Sequence, residues 1–445
     1  MMKRFDRRLR GSWFAVALFA VLALCASVPV LAQPGPSATF ASEPTPAGSD
    51  SLRISVLTCM PGPEIYALDG HSALRVQSAA GDSVWNYGLF SFEQPNFVYR
   101  FVKGETDYMV GAYPTSWFLP EYRDRGSRVY EQELNLTPEE KQKLLLLLRN
   151  DLKEENRIYR YNYIKDNCAT RIRDHIEQSM GGVRYTDTLH FGTYRKQMNA
   201  RHDGYPWYQF GIDLALGSGL DGKISSRDEM FTPIEMMVRL DNARSEDGRP
   251  VIKSREILVD GSERSVESPT HWSLTPMTIG WLLFFGTLIA VWYGKRRGRV
   301  LKWLYALYFG VAGLGGCLIA FLVFVSIHEA TSPNIIIWWL NPFQLIVPLS
   351  IWWRRTRGAT TFMMYYNLVA VCAVMILWLT GAQSLNHADM PLMISDILLA
   401  LGWLMTGAKV EKRVAIGKPS GRKTVRNKPT RGKVRTRKEE ENNLI

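Results

Sequence analysis

The chain has 445 residues, 46% of them hydrophobic, with 14 Trp and a formal net charge of +12. That apolar content excludes a disordered chain, and the length leaves room for more than one domain. The charge excludes a uniformly basic nucleic-acid binder. Residues 409–438 hold 13 Lys and Arg, so after subtracting Glu411, Glu439, Glu440 and Glu441 about +9 sits in the tail.

Residues 1–32 have the three parts of a secretory signal: Lys3, Arg4, Arg7, Arg8 and Arg10, an apolar run over 13–28, and Val30-Leu31-Ala32 as a small-residue cleavage site. An uncleaved anchor is the alternative, and either one exports the domain that begins after residue 50. Residues 33–50, rich in Pro, Ser, Ala and Gly, read as a flexible linker. A mixed α/β domain is expected over 51–240, with strands at 52–58, 71–77, 83–89 and 128–135. Thr137 followed by Glu140 predicts a capping box that opens a helix over 137–153. A strand over 157–163, a tight turn at Asp166-Asn167 and a helix from Cys168 to Gly181-Gly182 come next. Residues 185–240 read as mostly helical, and 241–270 as a polar connector with one hairpin.

From Trp272 the composition changes, and 271–408 reads as a transmembrane domain. Five apolar stretches, near 274–292, 303–327, 335–353, 361–381 and 391–408, are each about long enough to span a bilayer. Basic clusters (Lys295, Arg296 and Arg297; Arg354, Arg355 and Arg357; the 409–445 tail) follow the first, third and fifth stretches. The other two loops carry no Lys or Arg. This alternation puts the basic loops and tail in the cytoplasm and the 33–270 region outside it. The tail then reads as a cytoplasmic anchor, with no nucleic-acid partner expected.

Of five cysteines, Cys25 lies in the leader and Cys317 and Cys372 in apolar stretches, which leaves Cys59 and Cys168. A cysteine opening a helix meets the positive end of the helix dipole, which favours the thiolate, and the first-turn N–H groups lack internal partners. His71, heading an alternating strand, is the candidate base, with Asn86, Tyr87, Asp166 or Asn167 as candidate orienting or oxyanion groups. A Cys59–Cys168 disulfide in a non-catalytic receptor or assembly factor is the rival reading. His175, His190, His202 and His271 show no metal-ligand spacing, so neither a metal nor a cofactor is expected. His328, Asn334 and Asn341, with Glu329, Gln344, Asn386 and His387, gather near the external ends of the spans. They read either as a membrane-side polar site or as ordinary loop polarity.

Several segments in order carry a family resemblance: Pro61-Gly62, Gly70-His71-Ser72-Ala73-Leu74-Arg75-Val76, Asn86-Tyr87-Gly88, the 130–137 segment and Tyr161-Asn162-Tyr163-Ile164-Lys165-Asp166-Asn167-Cys168. Over about residues 50–240 the chain resembles the Lnb N-terminal periplasmic domain family, common in Bacteroidota, some members of which carry multi-span C-terminal halves. The resemblance implies a permuted papain-like fold, related to the NlpC/P60 and lecithin:retinol acyltransferase groups, in which the histidine precedes the cysteine. It implies lipoprotein N-acylation at the inner membrane: an acyl chain passes from a phospholipid donor, through Cys168 with His71 as base, to the α-amine of a diacylated lipoprotein. Where the family leads one to expect an aromatic beside Gly70, this chain has Asp69. A cysteine amidase or peptidase acting on peptidoglycan is the rival within enzymes.

Overall fold

The computed structural model describes residues 52–416 apart from 63, 91–94, 187 and 264–269, with side chains to 406. The expected signal segment, the 33–50 linker and the basic tail past 416 lie outside the described residues.

The strands are β1 (Arg53–Cys59), β2 (His71–Ser78), β3 (Gly81–Leu89), β4 (Asp107–Pro114), β5 (Val129–Leu134), β6 (Ile158–Arg160), β7 (Val183–Arg184), β8 (Arg244–Ser245) and β9 (Ile252–Val259). Seven form one antiparallel sheet in the order β6-β4-β3-β2-β1-β5-β9, and β7 pairs with β8. The helices of this half are α1 (Phe97–Lys103), α2 (Thr115–Arg125), α3 (Pro138–Asp151), α4 (Cys168–Met180), α5 (Tyr194–Arg201), α6 (Pro206–Ala215) and α7 (Pro233–Asn242).

Strand alternation builds two cores. Ile54, Val56, Leu74, Val76, Trp85 and Tyr87 face α3 and α4, which return Leu144, Leu148, Ala169, Ile172, Ile176 and Met180. The 169, 172, 176, 180 spacing is one helical stripe, and each such large side chain contributes about 1.5–3 kcal/mol on burial. Leu57, Cys59, Ala73 and Val84 face the other way, against Phe118 and Tyr122 of α2. The Thr137 capping box forms as expected, Thr137 N donating to Glu140 Oε2 at 2.7 Å and Glu140 N to Thr137 Oγ1 at 3.2 Å.

Two segments differ from the sequence reading. Residues 241–270 are not a connector: β9 pairs with β5 at the sheet edge, and β8 pairs with β7. Residues 97–125, for which the sequence suggests no element, form α1, β4 and α2. β4 carries Gly111 and Pro114, residues disfavoured in strands, yet it pairs with β3 on one side and β6 on the other.

Among the described residues the C-terminal half has four helices long and apolar enough to cross a membrane: α8 (Pro276–Arg297), α9 (Lys302–Phe324), α12 (Arg357–Leu379) and the 389–406 part of α13 (Asp389–Ile416). The third expected span is broken. α10 (Ile336–Trp339), a 3-10 turn (Pro342–Leu345) and α11 (Ile346–Ser350) replace one long helix. Pro342 cannot continue the hydrogen-bond ladder, and Asn341 Oδ1 accepts from Phe343 N at 3.1 Å to start the next turn. The broken segment lies directly on α9, where a Cβ on Gly316 would meet the Asn341 backbone at 2.4 Å.

The two halves are bolted together at the ends of the helices that carry no basic loop. Gly217 N donates to Ala330 O and Ser218 N to Pro333 O, both at 2.8 Å, and Trp207 Nε1 donates to Leu274 O at 2.7 Å. The basic ends lie at the other pole, where Lys302 Nζ donates to Trp352 O at 3.4 Å and the Trp303 and Trp352 rings are 4.4 Å apart.

One backbone position sets where β2 begins. Gly70 has φ +76°, and a Cβ there would stand 2.5 Å from the Cys59 carbonyl oxygen. Gly126 has φ +70° but open space around it. We expect Gly126→Ala to cost about 1–2 kcal/mol from the left-handed backbone alone. Gly70→Ala should cost clearly more, because it adds a backbone clash beside the candidate base. Thermal unfolding of the two variants checks the ranking, and equal shifts would contradict it.

Candidate active site at the head of the Cys168 helix

Cys168 is the first residue of α4, and the cap before it fixes that position. Asn167 Oδ1 accepts from Ala169 N at 2.8 Å and Thr170 N at 2.9 Å, while Asn167 Nδ2 donates to Tyr163 O at 2.6 Å and Phe231 O at 2.9 Å. Thr170 Oγ1 accepts from Asn167 N at 2.8 Å, closing the box. The preceding turn is tied by Asn162, whose N and O exchange 2.9 Å bonds with Asp166 and whose Oδ1 accepts from Ile164 N and Lys165 N at 3.1 Å. One expectation is thereby corrected. The first-turn amides are not a free cradle: Ala169 and Thr170 serve the cap and Arg171 N bonds Asn167 O at 3.1 Å, which leaves the N–H of Cys168 itself. Asn167 is a cap whose side chain is fully used, so it is no oxyanion donor.

His71 opens β2, so its ring lies at the end of the sheet and reaches both faces. It packs against Phe118 on one side, with ring centroids 6.5 Å apart, and couples electrostatically to the Cys168 thiol. Its Nε2 lies 2.6 Å from Asn86 Oδ1, and Asn86 Nδ2 donates to Tyr113 Oη at 2.6 Å. The Asn86 amide bridges the imidazole and the Tyr113 hydroxyl; with its oxygen toward the ring it accepts the Nε2 proton, and Nδ1 is then the nitrogen left for the thiol. Cross-strand register explains why Asn86 is the partner. Asn86 pairs with Ala73, two residues beyond His71 and on the same face.

The other candidates go elsewhere. Tyr87, one residue on, points to the opposite face and donates to Asp151 at 2.9 Å. Asp166 is held by Arg171 at 2.5 and 2.9 Å, and Arg171 in turn stacks 3.6 Å from the Tyr159 ring centroid. Cys59 and Cys168 are both free thiols in different cores, and burial pushes the Cys59 thiol far up. His328, Asn334 and Asn341 do not form one site. His328 Nε2 donates to Phe101 O at 2.8 Å, Asn334 joins Leu214 O and Gln383, and Asn341 bonds Trp338 O and Trp339 O. Each is spent on backbone carbonyls or a neighbouring amide that join segments. Among the described residues His190, Glu229 and Glu235 bring possible metal-ligand atoms within 4.8 Å, but Arg239 and Arg201 pair with the two carboxylates. Sequence reasoning missed Tyr113, which lies in the unforeseen strand β4, and Ser72, which lies close enough to the Cys168 sulfur to favour its thiolate.

Burial is the largest influence on both members of the pair and opposes charge on each. Against it, His71 and Ser72 bring the Cys168 thiol below its ordinary value. Cys168, Asn86 and the Glu121 charge bring the His71 imidazole above its ordinary value. The arrangement favours a thiolate–imidazolium pair. The pair is complete above the lowered thiol pKa and is lost as pH rises through the raised imidazole pKa. Alkylation of Cys168 in wild-type protein should therefore begin below the free-thiol range of about 8.5. In His71→Ala its onset should move up to or beyond that range. Asn86→Ala should lower alkylation near neutral pH by about 10–100-fold, the worth of a charge-assisted hydrogen bond of roughly 1.5–3 kcal/mol. Alkylation profiles that are the same in all three proteins would contradict the coupling.

Neither curated proteins nor solved structures gave a match to this chain. Two family models do match: the Lnb N-terminal periplasmic domain over residues 47–200, which includes His71, Asn86 and Cys168, and the Lnb transmembrane domain over 268–409. Together they cover about two thirds of the chain, in the order of the two halves described above. The chain therefore belongs to the Lnb family, as a multi-pass membrane protein with a periplasmic domain.

Proposed function

We propose that this protein is a membrane-bound lipoprotein N-acyltransferase, moving an acyl chain from a phospholipid through a Cys168 thioester to the α-amine of a diacylglyceryl-cysteine lipoprotein. The observation that carries this reading is where the nucleophile's turn sits. Lys165, three residues before Cys168, pairs with Glu329, and Ile164 belongs to a core against which Ala330 packs. Both partners lie in the loop after α9. This attachment of the nucleophile's turn to the membrane half supports substrates that arrive by lateral diffusion, an advantage that a soluble glycan substrate does not need.

In the first half-reaction His71 Nδ1 takes the Cys168 proton and the sulfur attacks the ester carbonyl carbon. The oxyanion lies toward the Cys168 N–H, and collapse expels the glycerol oxygen, which takes the proton from the imidazolium. In the second, the neutral amine attacks the thioester and His71 receives its proton. The carbon–sulfur bond breaks and the thiolate is restored. Water competes for the thioester, so a dry apolar approach favours transfer over hydrolysis.

The same reading places the protein in the bacterial inner membrane with its tail in the cytoplasm. The broken third segment makes the fifth crossing, because its basic end at Arg354, Arg355 and Arg357 must return to the side of Lys295, Arg296 and Arg297. A nucleophile at a helix head, facing an antiparallel sheet that bears an earlier histidine, supports reading the domain as permuted papain-like.

Complementation tests the proposal. In Gram-negative cells depleted of their own apolipoprotein N-acyltransferase, wild type should restore growth and triacylated lipoprotein peptides by mass spectrometry. Cys168→Ala and His71→Ala should leave the peptide diacylated. A membrane-inserted wild type that leaves it diacylated would sink the transferase reading and bring the peptidoglycan reading forward.

A further inference from the structure

We propose that an aromatic row running from α1 to Cys168 is the binding track for the donor's acyl chain, drawn from the external leaflet up to the thiol. The inference rests on the acyl-transfer reading for its direction, but the track itself is a lipid-binding site that stands on separate observations.

The first is the placement of α1. His328 Nε2 donates to Phe101 O at 2.8 Å, Ser326 Oγ to Val102 O at 2.9 Å and Ile327 N to Lys103 O at 2.8 Å. The Tyr99 ring lies 6.0 Å from that of Phe321 on the membrane helix α9. This short helix is thus pinned to the external end of a span. It leaves Val98 73%, Tyr99 53% and Phe101 50% exposed. Its cations are turned to the domain: Arg100 reaches Asp107 at 2.7 Å and Lys103 reaches Glu105 at 2.6 Å. Exposed apolar groups beside a span, with the neighbouring charges withdrawn, match the headgroup–acyl boundary, where lipid is the adjacent medium.

The second is continuity. The Phe101 and Phe97 rings stack 5.9 Å apart, Phe97 and Phe90 5.9 Å, Phe90 and Tyr108 5.1 Å, and Tyr108 and Tyr161 4.4 Å. Tyr161 lies within the electrostatic reach of Cys168 and leads directly into its turn. Three of these four contacts are stacked within 25° of parallel, so the rings present faces in series. None of the five is fully buried. The row is thus exposed at Phe101, beside the span, and becomes more enclosed through Phe97, Phe90, Tyr108 and Tyr161 toward the nucleophile. An acyl chain laid on it stays in apolar contact while its ester carbonyl approaches the sulfur.

The test uses full-length Cys168→Ala protein, which cannot form a thioester, in phosphatidylethanolamine–phosphatidylglycerol vesicles. These contain a phospholipid with a photoreactive diazirine on one acyl chain. After irradiation, peptides bearing Phe97, Tyr108 or Tyr161 should carry the label. In the same background Phe101→Asp should cut labelling at Tyr108 and Tyr161 by about tenfold, since a carboxylate at the apolar entrance is costly. Val98→Asp, at a position too exposed to disturb packing, should cut it in the same direction. Label confined to lipid-facing residues of the spans, such as Leu282 and Phe324, would overturn the track, as would undiminished labelling in both aspartate variants. Labelled aromatic peptides from a protein whose wild type transfers no acyl group would uphold the track and refute the transferase reading alone.

Discussion

The site depends on the charge coupling between the Cys168 thiol and the His71 imidazole across the end of β2. Burial works against it from both sides, since a dry environment disfavours a thiolate and an imidazolium alike. Each charge offsets the penalty on the other. Neutral dipoles then supply what the pair lacks: Ser72 at the sulfur and Asn86 at the imidazole. Little slack is tolerable in such an arrangement. Asn167 fixes the helix head through bonds to both Tyr163 and Phe231, and Gly70 fixes where the strand starts. The surrounding fold can be understood as two anchors, one for each partner, on a sheet made rigid by cores on both faces.

The membrane half extends that logic outward. Main-chain bonds from Gly217 and Ser218 to Ala330 and Pro333 leave little freedom between the halves, because backbone groups cannot rotate away as side chains can. The polar residues at the external ends of the spans act as joints in this contact: Asn334 and Gln383 bond each other and also reach the backbone at Leu214 and Leu216. Polarity that reads in the sequence either as a second site or as ordinary loop polarity is spent on joining the two halves.

Much of this was legible in the sequence. The 161–174 segment carries its own turn and cap chemistry, so a helix beginning at Cys168 follows from local rules, as does the Thr137 box. The choice between Asn86 and Tyr87 was not legible. Adjacent strand residues face opposite ways, and only the β2–β3 register, which a turn at 79–80 sets, decides which one meets His71. Asn167 was assigned chemistry although its strong preference for the cap position was readable beforehand. β4 escaped because Gly111 and Pro114 dilute its strand signal, and Tyr113 escaped with it. The expectation of one long apolar stretch over 335–353 gave too little weight to Pro342, which divides that stretch into short pieces.

The most direct measurement is the intact mass of the purified full-length protein after incubation with phospholipid vesicles and no amine acceptor. The predicted result is an adduct of one acyl chain on Cys168 that hydroxylamine removes and that never forms on Cys59. Asn86→Ala should form it slowly, and His71→Ala should not form it. Wild-type protein that stays unmodified under conditions where its Cys168 is readily alkylated would contradict acyl transfer through this thiol.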